Sequence, residues 1–188
     1  MKPALESFFS ELLAVILGIV ITFAVQGMID RAQDRKNVRS ALELVRVELS
    51  SHLEDISHLK DYLDQQRLSA KYLEENRDNL DACPEDIVRY HKGMVNADVS
   101  VALSHDALEL LKNSSLFQKV GDNVLSLKVI SAYDTCDQIV TDMYHSFTSR
   151  NAQSGDPSSW LLEHNPADFI NTLDIELAIE AIDEYLKK

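Results

Sequence analysis

The sequence predicts an all-α protein: an N-terminal transmembrane helix that continues into a long stalk or coiled-coil helix, followed by a helical bundle. Three observations carry this. Leu12 to Ile29 are eighteen uncharged and mostly apolar residues. Beyond Asp30, apolar residues recur at steps of three and four, with neither Gly nor Pro between Met28 and Cys83. Glycine and proline number only five and four in 188 residues, too few for the turns of an all-β domain. The expected division is a short tail (1–11), a transmembrane helix (12–29), a stalk that is also the first bundle helix (30–82), and the remaining bundle helices (83–188).

At a rise of about 1.5 Å per residue the uncharged run covers about 27 Å, close to the hydrocarbon thickness of a bilayer. Eleven of its residues are Leu, Ile, Val or Phe, which together favour insertion by about 3–7 kcal/mol. Thr22, Gln26, Gly18 and Gly27 oppose insertion, but Gln26 and Gly27 lie near one end, where polar groups cost less. A cleaved leader fits poorly: Lys2 is the only basic side chain before the run, Glu6 and Glu11 also precede it, and Ala24-Val25-Gln26 is a poor cleavage site. Arg31, Arg35, Lys36, Arg39 and Arg46 follow the span, which by the positive-inside bias puts the large domain in the cytoplasm. An anchor holding an extracytoplasmic domain is the alternative orientation.

Glu11, Val15, Gly18, Thr22, Val25 and Ile29 follow 4-3 spacing with Gln26 alongside, so they form one stripe of the span. Two readings stay open. Gly18 permits close approach of a second helix and Thr22 and Gln26 can hydrogen-bond across it, which makes the stripe a helix–helix face. Alternatively, Glu11 and Gln26 sit at the two interfaces and Gly18 is incidental.

In the stalk the register runs Val38, Leu42, Val45, Leu49, His52, Ile56, Leu59, Leu63, Gln66, Ala70, Leu73, Arg77 and Leu80, with Ala41, Leu53 and Tyr72 widening it. A narrow seam favours a coiled coil and a wide one a bundle; both are expected, the coiled coil nearer the membrane. His52, Gln66 and Arg77 interrupt the ridge. A polar residue there either fixes register or sits at the seam's edge in water, and Arg77 reads as the latter. A buried His52 would loosen its packing on protonation, an idea removed by a melting curve that stays flat between pH 5 and 8.

Cys83-Pro84 is expected to end the stalk helix and start a short one over 84–91, stopping near Gly93. Ser104 reads as the cap of a helix carrying Ala107, Leu108, Leu110 and Leu111, broken at Asn113-Ser114-Ser115. Gly121-Asp122 opens a long helix with the stripe Leu125, Val129, Ala132, Cys136, Ile139, Val140, Met143 and Phe147. Residues 148–157 read as a loop. Asn165 and Pro166 then read as cap and first position of a last helix carrying Phe169, Ile170, Leu173, Leu177, Ala178, Ala181, Ile182 and Tyr185. Phe117, Tyr133, Tyr144, Trp160 and Phe169 are expected in the core.

The run from Glu11 through Gly18 to Gln26, followed by a charged helix, resembles a widespread family of uncharacterised bacterial single-pass inner-membrane proteins. In that family a glutamate precedes an Ile/Val/Leu-rich span that contains glycine and ends in glutamine. The stretch from His105 to Leu116, with Leu125 to Tyr133, is similar to its second recurrent block. The family's usual aromatic, acid-rich sequence after the glutamine is replaced here by Gly27-Met28-Ile29-Asp30. The resemblance implies a bacterial inner-membrane protein and no assigned activity.

The chain carries 31 acidic against 18 basic residues, net −13. Such a surface repels phosphate backbones, so no nucleic-acid partner is expected; it suits a basic partner, although a solvated acidic surface with no partner role is the commoner explanation. Cys83 and Cys136 do not make a disulfide framework. No zinc-protease, P-loop, redox or nucleophile-elbow motif is present. His105, Asp106 and Glu109, or Asp142 and His145, fall short of the three or four convergent ligands a metal needs. The expectation is a non-enzymatic membrane-anchored interaction or scaffold protein, without cofactor, associating with itself or with another membrane protein. A small accessory subunit of a transport or secretion complex is the runner-up, and a ligand-sensing bundle ranks below it.

Overall fold

The computed structural model describes residues 2–79, 85, 89–90, 103–152, 162–163 and 166–187, the side chains of 2–14, 79, 146–152, 166 and 169 excepted. Among the described residues, five α-helices have defined bounds: α1 Lys2–Glu75, α2 Asp106–Asn113, α3 Leu116–Lys119, α4 Asn123–Ala152 and α5 Leu173–Lys187. Short 3₁₀ turns occupy Arg77–Asn79 and Pro166–Phe169. Among the described residues there is no strand, and the protein is all-α.

α1 is one helix of 74 residues. It begins within the expected tail, at Lys2, with Pro3 in the first turn, where a missing N–H is harmless. It also ends earlier than the expected stalk. Asn76 donates its side-chain amide to the Tyr72 carbonyl at 2.8 Å, and the polar run Asn76-Arg77-Asp78-Asn79 tightens into the 3₁₀ turn. The expectations at Leu80, at Cys83-Pro84, over 84–91, and for Phe147, Trp160, Asn165 and Phe169 lie outside the described residues or side chains.

The register predicted for the stalk is the ridge that the fold buries. Val38, Leu42, Val45, Leu49, His52, Ile56, Leu59 and Leu63 are all buried, and Gln66 and Ala70 continue the line. From Val38 to Leu63 the cover is the chain's own α2 to α5, whereas Ala70 packs with Leu73 and Leu162. Contacts across the bundle give its topology. The Ala107 amide meets Glu48 while Lys119 meets Asp34, so the chain descends α1 through α2 and α3. Tyr133 meets Glu48 and Cys136 meets His52, so α4 climbs again. Arg46 pairs with Asp183 and Arg39 donates to the Leu186 carbonyl, so α5 descends. This is an up-down-up-down bundle on the upper part of α1.

The turns follow local chemistry. Ser115 (φ 57°) and Gly121 (φ 70°) take left-handed backbone on either side of α3. Asp122 Oδ1 then accepts from the amides of Val124 and Leu125, each at 3.0 Å, and starts α4. Asp122→Ala is expected to lower stability by about 1 kcal/mol, read as a shift in the thermal midpoint, while Asp122→Asn should recover most of it.

Several expectations are corrected. α4 runs on to Ala152, into the polar run 148–157 that reads as a loop. Pro166 opens a 3₁₀ turn that ends in the Ile170-to-Ala167 bond, and α5 begins only at Leu173, whose amide donates to Asn171 Oδ1 at 3.1 Å. The α5 face toward the core is Ile175, Ala178 and Ile182, leaving Leu173 and Leu177 exposed. Leu110 and Tyr144 likewise point outward, whereas Tyr133 is 1 % exposed. An α-helix carrying apolar residues on more than one side can turn only one of them inward.

Candidate functional site

Two places combine unusual residues: the bare apolar part of α1 and a polar cluster inside the bundle. In the first, Val15, Gly18, Thr22, Val25, Gln26 and Ile29 are exposed along one helical stripe, and a Cβ built on Gly18 would meet nothing within 4 Å. Thr22 donates to the Gly18 carbonyl at 2.8 Å, and Gln26 donates to Asp30 at 3.1 Å. Each thereby makes a hydrogen bond within its own helix, which lowers the cost of apolar surroundings. The stretch is long and apolar enough to cross a membrane, and none of it is buried in the molecule. The side chain of Glu11 lies outside the described ones.

The second place is built by α1, the start of α2, and α4. Glu48 and His52 are one turn apart on α1; Tyr133, Cys136 and Asp137 face them from α4; His105 closes one side. Tyr133 donates its hydroxyl to Glu48 Oε2, and the Ala107 amide divides its bond between the two carboxylate oxygens at 3.2 and 3.3 Å. Ser104 also hydrogen-bonds to Glu48. One carboxylate therefore ties three elements together. Ser104 also accepts from the Asp106 amide at 3.1 Å, one residue outside the cap position expected for it; that position belongs to His105.

Around Tyr133 the rings pack closely, His52 edge-on at 6.0 Å and His105 tilted at 5.2 Å. His52 Nδ1 lies 3.7 Å from Cys136 Sγ. His105 Nε2 is 3.2 Å from Asp137 Oδ1, an approach too oblique for a hydrogen bond. Asp106, Glu109 and His145 are exposed and remain outside the cluster. Among the described residues, no three His, Cys, Asp or Glu side chains stand where they could share a metal ion.

Protonation follows from burial and partners. Burial raises the Glu48 carboxyl, but the bonds from Tyr133, Ser104 and Ala107, with the His52 charge, outweigh it and leave its pKa below the usual value. His52 is pushed down chiefly by burial. The Tyr133 hydroxyl is pushed up by burial and by its bond to Glu48. Burial pushes the Cys136 thiol up to about 12, assisted by Asp137. The Cys136–His52 pair is therefore a neutral thiol beside a neutral imidazole, not an activated nucleophile. What the cluster does is hold α2 and α4 on α1.

That role is pH-dependent. Between its folded and unfolded pKa values, each of His52 and Glu48 binds fewer protons in the folded chain. Stability is thus complete above the ordinary values of 6.5 and 4.5 and declines as pH falls below each. The melting midpoint is expected to drop between pH 7.5 and 5, with His52→Gln removing most of that slope. A flat profile in the parent chain would contradict this.

The sequence pointed to His52, Ser104, His105, Tyr133 and Cys136, though separately and for other reasons, and it missed Glu48 and Asp137. The available signal was Glu48 four residues before His52, on the flank of an apolar ridge, where a carboxylate needs partners. Comparisons of the chain with protein families, with curated proteins and with solved structures give no match.

Proposed function

We propose that this chain is a membrane-anchored helical interaction or scaffold protein with no chemistry of its own, held by a single span in a bacterial inner membrane with its bundle on the cytoplasmic side. One observation carries the reading: within a single helix, the mostly apolar stretch from Val15 to Ile29 has no cover from described parts of the chain, while the ridge from Val38 to Leu63 just beyond is covered. Apolar surface of that extent is stable in lipid, not in water. Since the stalk ridge is taken up by the chain's own helices, self-association runs through the span, with Gly18 at the closest approach. The acidic outer surface suits a basic partner.

Cross-linking of the full-length chain in native membranes is expected to give an oligomer ladder, and Gly18→Leu should weaken its higher rungs severalfold by separating the helices. A strict monomer in both membranes and mild detergent removes self-association. A multispan protein recovered at unit stoichiometry in place of the ladder favours the accessory-subunit reading, in which the same face of the span holds a larger membrane protein.

A further inference from the structure

Resting on that membrane-anchored reading, we propose that the membrane-facing end of the bundle is a contact surface for anionic phospholipid headgroups, formed by Arg31, Arg35 and Lys36 with Lys187 beside them. Arg31 follows Ile29 by two residues and Lys36 by seven, about 3 and 10 Å along a helix. The headgroup layer extends about 5–7 Å beyond the hydrocarbon, and screening at physiological salt sets in over about 8 Å. The descending α5 brings its C-terminal end to the same level, because Arg39 of α1 donates to the Leu186 carbonyl, and Lys187 is exposed next to it.

From Asp30 to Arg39 there are four basic and two acidic residues, and one of the acids is paired with a cation from elsewhere while the other keeps its charge. Asp30 accepts from Gln26 at 3.1 Å, and Asp34 pairs with Lys119 of α3 at 2.7 Å. Arg31, Arg35 and Lys36 are exposed, and their side chains have no ion pair or hydrogen bond among the described residues. Three exposed cations thus face one unpaired carboxylate, Asp30, and the charge is net positive where the helix leaves the span.

The charge farther out selects the ligand. Farther out the balance reverses: residues 40–79 hold nine acidic and five basic side chains. A soluble polyanion large enough to engage the three cations would also meet this acidic flank and the net charge of −13. A planar anionic layer meets only this net-basic end and not the acidic flank. Phosphate oxygens match the guanidinium forks of Arg31 and Arg35, and each cation at such a surface adds to the attraction.

The test uses the full-length chain in nanodiscs of phosphatidylcholine with a minority of phosphatidylglycerol. The readout is the ratio of the two lipids retained on the chain after transfer to lipid-free mild detergent. Retained lipid is expected to be enriched in phosphatidylglycerol roughly two- to fivefold over the supplied mixture. The enrichment should fall toward unity in about 0.5 M salt. The triple variant Arg31→Gln, Arg35→Gln, Lys36→Gln should return the ratio to that supplied. A control with the same charge change farther out, Lys60→Gln, Arg67→Gln, Lys71→Gln, should keep the enrichment. No enrichment in the parent chain, or equal enrichment in both triple variants, overturns the proposal. Carbonate extraction of the same proteins separates the two levels. A parent chain that resists extraction without enrichment loses only the headgroup contact, whereas one that is extracted loses the anchor and this proposal together.

Discussion

Tyr133→Ala is expected to lower the stability of the bundle by about 3–5 kcal/mol, a large part of the 5–15 kcal/mol typical of a folded domain. Tyr133 is 1 % exposed and stands where α1, α2 and α4 meet. Removing the ring takes away the surface against which His52 and His105 pack and leaves a cavity between helices already held apart by neighbouring core residues. It also removes the hydroxyl that donates to Glu48. The two losses separate in Tyr133→Phe, which keeps the ring. Glu48 is half-exposed and retains the Ala107 amide and Ser104, so water can replace the lost donor, and the cost should be only about 1 kcal/mol. Circular dichroism melts in detergent would show a fall of about 10–15 °C for the alanine variant and a few degrees for the phenylalanine one. Equal shifts for the two would mean that the ring contributes nothing by packing.

Val20→Arg is expected to release much of the chain from membranes. On the proposed reading, Val20 sits near the middle of the span and favours insertion, whereas an arginine there opposes it, a combined change of about 3–4 kcal/mol. That is comparable with the whole favourable energy of the apolar run, about 3–7 kcal/mol. Val47→Arg makes the informative contrast. Val47 is on the same helix and just as exposed, 62 % against 56 % for Val20, but it faces outward beside the bundle. An arginine there should alter stability by less than about 0.5 kcal/mol and leave fractionation unchanged. Carbonate extraction of the two variants reads the difference directly. Identical behaviour would show that Val15 to Ile29 face the same solvent as the stalk and would remove the span.

How much of this was legible in the sequence depended on how local the cause was. The break at Asn113 to Ser115, the opening of α4 at Asp122, and the stripe Leu125, Val129, Ala132, Cys136, Ile139 and Met143 all rest on residues within a turn or two of one another. The structure has them as read. Pro166 misled because a residue suited to the first helical position suits a 3₁₀ turn equally well, and Asn171 supplied a second start. Leu110, Tyr144, Leu173 and Leu177 misled because each lies on a helix with more apolar residues than one face can hold.

By itself the sequence determined the helical content, the uncharged run from Leu12 to Ile29, and the ridge from Val38 to Leu63. Each is a periodicity or composition that a single helix expresses without reference to its neighbours. Only the tertiary structure decided what lies against that ridge: α2, α4 and α5 of the same chain pack on it. It alone brought Glu48 to Tyr133 and to the Ala107 amide, residues separated by 85 and 59 positions. The physical reason is that burial and hydrogen bonding across a bundle depend on the height and rotation at which helices meet, and no local pattern encodes either.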